Sequence, residues 1–170
     1  MTIVELLAAL SISVLLVGSV LGTLVTSKHF YATNVMGQTL QRDANLLLTK
    51  ILKGKTEPTG TFRLAEAETY TLTSISELHF TCTDGIERWY RLSSDGTQVI
   101  YHHPTSAGEQ DEVIYTAPAG RTITLRFWMP AGSSFENIGI GIDVGLSQAV
   151  RGVTVTGSVT TMTNIRNHSS

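Results

Sequence analysis

The chain has 170 residues, room for one ordinary domain plus one extended element. A formal net charge of −2 and a pI near 6.2 give no electrostatic reason to expect nucleic acid or anionic lipid as a partner. One cysteine, Cys82, excludes an internal disulfide, and a charged fraction of 15% lies below the roughly 25% of ordinary soluble domains.

The apolar excess begins at the N-terminus. From Leu6 to Ser27 there is a run of 22 residues with no charge, longer than the roughly 20 needed to cross a hydrocarbon core as a helix. Leu6, Leu10, Val14, Val17, Leu21 and Val25 lie among other apolar residues on every side of that helix, so all of its faces seek burial, in lipid or in protein. A secretory signal would start with basic residues and end at a small-residue cleavage site. Here the only charge before Lys28 is the acid Glu5, and the helical pattern runs on past the apolar run.

Glu5 is costly in lipid, about 2.5–3.5 kcal/mol for an acid at the bilayer centre and less near the surface. It can lie in the headgroup layer, neutralise its own amine or complement the helix dipole. Alternatively, it needs a cation when the helix leaves lipid for a protein interior. The α-amino group of a second copy, with an ordinary pKa of about 7.7–8.0, would serve.

The segment Met1-Thr2-Ile3-Val4-Glu5-Leu6-Leu7 resembles the mature N-terminus of type IV pilins and pseudopilins. The resemblance implies a chain processed and N-methylated at Met1 by a prepilin peptidase, with Glu5 as the assembly acid meeting a neighbour's N-terminus. Met stands where Phe is commonest in that family.

The helix is expected to continue to Leu52. Leu40, Ala44, Leu47 and Ile51 keep an i, i+4, i+7, i+11 spacing, Leu48 and Leu52 widen the stripe, and Gly54 supplies the stop. Pro58 and Gly60 mark a following loop. Within the apolar run, Gly18 and Gly22 form a G-x-x-x-G pair. They suit close helix packing, or, as the pilin resemblance implies, a weak point that melts inside a filament.

Beyond residue 60 the periodicity becomes that of strands: 61–64, 70–73, 78–82, 86–92, 98–101, 112–115, 122–128, 138–144 and 153–156. Asp84-Gly85 and Asp95-Gly96 are hairpin signals. The expected fold class is α+β, a long N-terminal helix packed on an antiparallel β-sheet head. Its divisions are 1–27 (membrane or filament-core helix), 28–54 (amphipathic helix) and 55–170 (β-rich head). The head also resembles J- or W-type minor pilins, through the hairpin Leu78–Leu92 with Ser94-Asp95-Gly96, the run Leu125-Arg126-Phe127-Trp128, and the ending Thr160–Asn167.

No pattern in the chain carries chemistry. Adjacent strand residues His102 and His103 point to opposite faces and suit no shared metal; before Pro104 they read as a strand exit. Glu109, Asp111 and Glu112 read as a solvated loop with too few oxygens for a hard cation. Trp89, Trp128, Tyr90 and Tyr101 read as sheet packing rather than a ligand platform, and Cys82 as a small buried hydrophobe. Asn167-His168-Ser169 matches a glycosylation sequon.

The expectation is therefore a non-enzymatic structural subunit without cofactor, catalytic residue or metal. It would be held in a bacterial inner membrane, then assembled with copies of itself into an extracellular filament or periplasmic pseudopilus by pilus machinery. Alternatives are a minor pilin or pseudopilin of a secretion or competence system, or a membrane-anchored periplasmic binding or enzymatic domain.

Overall fold

The computed structural model describes residues 2–57, 60–105, 108–130 and 139–164. Met1 and the Asn167-His168-Ser169 sequon lie outside them. The chain divides into two compact units, one ending at Met36 and the other starting at Gly37.

A single helix, α1 (Ile3–Lys53), carries the N-terminal third of the chain. It ends where Gly54 takes a left-handed φ of +64°, which a glycine adopts without strain. A Cβ there would collide with the Phe62 carbonyl. Lys50 and Lys53 in the last turn complement the negative end of the helix dipole.

The strands are β1 (Lys55–Glu57), β2 (Gly60–Phe62), β3 (Thr69–Ser74), β4 (Glu77–Thr81), β5 (Glu87–Leu92), β6 (Gln98–Thr105), β7 (Gly108–Thr116), β8 (Arg121–Trp128), β9 (Gly139–Val150) and β10 (Val153–Asn164). They form a small β1-β2 hairpin, a five-stranded meander β3-β4-β5-β6-β7 and a three-stranded sheet β10-β9-β8. Every pairing is antiparallel. The α+β architecture is the one expected.

Within the second unit, the expected helical stripe is the core. Leu40, Ala44, Leu47 and Ile51 are fully buried. The helix backbone at Leu40 and Gln41 lies so close to Gly157 of β10 that a Cβ would fall 2.5–2.6 Å from it. Farther along, the Tyr90 hydroxyl of β5 donates to the Ile51 carbonyl, so the helix also meets the larger sheet. Leu78, Phe80, Tyr90, Val99 and Tyr101 fill the meander's core face; Leu125, Phe127, Ile140, Ile142, Val144 and Leu146 fill that of the smaller sheet. Arg121 of β8 donates to Asp43 of the helix at 2.6 Å and to Gln148 of β9 at 2.8 Å.

Several local expectations are corrected. Lys55–Glu57 is a strand outside those expected, and Leu64, expected to end a strand, belongs to a short 3-10 turn (Leu64–Glu66). The acidic stretch read as a loop is β7. The strand containing His102 and His103 runs on through Pro104 to Thr105. Beyond His102, β6 has β7 as its partner and no longer pairs with β5, and a proline is tolerated where one side of a strand is unpaired. Finally, β9 and β10 are 12 residues each because Arg151 (φ 51°) and Gly152 (φ 82°) make a two-residue turn of the kind that matches strand twist.

Candidate functional site

Among the described residues, exposed large apolar side chains gather on the first half of α1. From Ile3 to Val25, its large apolar side chains are 53–79% exposed and occupy every face. The helix is long and apolar enough to cross a membrane. Its hydroxyls suit an apolar medium, because Ser11, Ser13, Ser19, Thr23 and Thr26 each donate to a carbonyl three or four residues back at 2.8–2.9 Å. These five donors thus carry their own acceptors, as an apolar surrounding requires.

Glu5 occupies the first turn and closes a capping box that the sequence reading missed. The Thr2 backbone N–H donates to Glu5 Oε2 at 2.8 Å, and the Glu5 N–H donates to Thr2 Oγ1 at 3.4 Å. The signal was the T-x-x-E spacing itself. Gly18 and Gly22 have open surroundings, with nothing within 4 Å of a Cβ built at either, and the helix is unbroken through both in the single chain.

The head holds a buried ionic cluster that sequence reasoning also missed. Arg88, fully buried on β5, donates through Nε to Glu57 Oε1 (3.0 Å) and through Nη2 to Glu57 Oε2 (2.9 Å). It also donates to both oxygens of Asp84 at 3.0 and 2.6 Å. The Tyr101 hydroxyl donates to Glu57 at 2.9 Å, and the Phe62 ring lies 3.7 Å from the guanidinium carbon. Burial pulls the Arg88 guanidinium down, but the hydrogen bonds to Asp84 and Glu57 outweigh it and hold it above its ordinary value. Bonds from Arg88 hold the Asp84 carboxyl below its usual range. The available signal was strand parity: Arg88 shares a face with Tyr90, two residues on.

On the opposite face of the meander, Trp89 lies between two imidazoles. His102 stacks on it at 3.4 Å and His79 at 5.0 Å. Both ring nitrogens of His79 face carboxylates, Glu87 at 2.9 Å and Glu77 at 2.8 Å. His102 Nδ1 lies 2.7 Å from Asp111, which also accepts from Arg91. His103 faces the core side, stacks on Tyr101 and lies 3.5 Å from Glu112. Among the described residues no cluster of three or more His, Cys, Asp or Glu side chains is placed to hold a metal ion. Cys82 is buried, and burial pushes its thiol up to about 11, away from nucleophilic use. Tyr90 and Tyr101 are core residues, and the indole of Trp128 covers Gly141, where a Cβ would strike it.

A cleft of about 500 Å³ opens between the last turns of α1 and β7. Tyr90 and Tyr101 line it together with Leu46, Lys50, Lys53 and Val113. Lys50 Nζ is bonded to the Ile114 carbonyl at 2.9 Å, which leaves it committed to the scaffold. Comparison with protein-family models, curated proteins and solved structures gives no match.

Proposed function

We propose that the chain is a structural subunit of a type IV pilus-like filament, held in a bacterial inner membrane through α1 until it assembles with copies of itself. The observation that carries this reading is an apolar helix exposed on all faces from Ile3 to Val25, with Glu5 as its one charge before Lys28. Such a surface is stable only in lipid or packed among other helices. On this reading Met1 is the processed, N-methylated residue. Glu5 exchanges its own Thr2 for a neighbour's amine on assembly, and Gly18 and Gly22 are where the helix packs tightly or melts in the filament. The subunit is the repeating one; a minor pilin or pseudopilin is the runner-up.

Glu5→Ala is expected to leave the chain in the membrane fraction and to abolish or misregister filaments in electron micrographs of sheared cell-surface material. Normal filaments from that variant would remove the assembly role of Glu5. The cleft beside β7 favours a second reading, a membrane-anchored binding domain. It predicts saturable small-ligand shifts of Val113 and Ile114 amide resonances with no filament formed.

A further inference from the structure

We propose that Lys28, His29, Phe30 and Tyr31 form a collar around α1 that binds the phospholipid headgroup layer and sets how deep the helix sits in the bilayer. The collar rests on the membrane-held part of the proposed function and is independent of filament assembly.

The uncharged run ends at Lys28, and at 1.5 Å per residue its 22 residues cover roughly 33 Å, close to the roughly 30 Å of a hydrocarbon core. The next four positions each step about 100° around the helix, so together they encircle it. They carry an ammonium, an imidazole and two aromatic rings, with Phe30 65% and Tyr31 74% exposed. A protein partner would draw these residue types onto one face, at i, i+3 and i+4 spacing. A headgroup layer surrounds a single helix and asks for them on all sides. Aromatic rings prefer that depth, and a lysine there keeps its stem in the acyl region and its charge on the phosphates.

The sequence beyond also needs such a stop. After Lys28 no Lys, Arg, Asp or Glu occurs until Arg42, so charge alone leaves the insertion depth open over more than three helical turns. At the collar, Thr33 Oγ1 donates to the carbonyls of His29 and Phe30 at 3.1 and 3.0 Å, supplying those carbonyls with an added donor.

The test uses the full chain with Cys82→Ser, in phosphatidylcholine nanodiscs with both faces accessible, carrying either Val25→Cys or Asn34→Cys. A membrane-impermeant maleimide is expected to label Asn34→Cys at least about tenfold faster than Val25→Cys. Adding Phe30→Ala and Tyr31→Ala to the Asn34→Cys chain is expected to slow that labelling about threefold or more, as the helix slides inward. Equal rates at the two positions, or no change in the double variant, would overturn the collar. So would protection at Asn34→Cys that disappears at one chain per disc, which would assign the face to a second copy. A chain that fails to enter the discs sinks the anchoring reading and the collar with it; one that enters with the boundary elsewhere sinks the collar alone.

Discussion

At Glu5 the carboxylate is already engaged within its own chain. In the capping box with Thr2 it accepts the Thr2 backbone N–H, and the Thr2 hydroxyl accepts the Glu5 N–H in return. Thr2→Val removes the hydroxyl acceptor and is expected to cost about 0.5–2 kcal/mol of local helix stability. Faster hydrogen exchange at the Glu5 amide would register it; unchanged exchange would mean that the cap is not formed in solution. His79 offers a pH test. Burial opposes its charge, but the bonds to Glu77 and Glu87 outweigh burial and raise its pKa above 6.5. An imidazole with a carboxylate on each nitrogen satisfies both only as the cation. Its stabilisation is therefore fully present below about 6.5 and fades as pH rises through the folded value. Asp84, lowered by Arg88, has the opposite sign: its contribution is present above its ordinary 3.8 and fades as pH falls through the lower folded value. His79→Gln should flatten the stability profile on the neutral side and leave the acid side intact. Identical profiles for the two proteins would refute the pairing.

At the scale of elements, the end of α1 and its crossing with β10 each depend on a close approach at glycine. Gly54 turns the chain out of α1 beneath the Phe62 carbonyl, and Gly157 lets β10 touch the helix backbone. Beside that crossing, the Gln41 amide donates to the Ser158 carbonyl at 2.9 Å and accepts from the Ser158 N–H at 3.1 Å. A helix side chain thus occupies the edge of β10 where another strand's peptide would pair, which covers an otherwise uncharged sheet edge. Gly157→Val should push helix and strand apart and destabilise the head by about 1–3 kcal/mol, read as a lower denaturation midpoint. An unchanged midpoint would show that the crossing has slack. Hairpin chemistry was legible at Asp84-Gly85 and Asp95-Gly96, where Gly85 and Gly96 take φ of 71° and 68°. Arg151-Gly152 was less so, because an arginine in left-handed conformation is not a residue that the turn type favours. The strand expected at 112–115 starts four residues earlier, at Gly108, so Glu109 and Asp111 belong to β7 rather than to a loop. Glu109 pairs with Pro104 and Asp111 with His102, so the partner strand overrides local polarity.

For the whole molecule, the two units pose different problems. The unit up to Met36 exposes its large apolar side chains, while the unit from Gly37 has a buried apolar core. In the latter, Arg88 ties β1, just past the helix, to β5 and, through Glu57 and Tyr101, to β6. Removing one partner of a buried pair strands the other charge. Arg88→Ala is therefore expected to cost about 3–5 kcal/mol. Thermal unfolding of the isolated variant would measure it, and a loss below about 1 kcal/mol would place the pair in water rather than in the core.

The sequence alone determined the helix, its apolar run, its buried stripe and stop, the strand-rich head and the first-turn acid. Each of these follows from periodicity, charge or turn chemistry within a few residues of the chain. Tertiary structure alone decided that Arg88 faces inward to Glu57, that His79 and His102 clasp Trp89, that β6 continues through Pro104, and that Gly157 is the contact point of helix and sheet. Those depend on which strands become neighbours: cross-strand partners far apart in sequence supply the hydrogen bonds and the exclusion of water, and no local pattern records them.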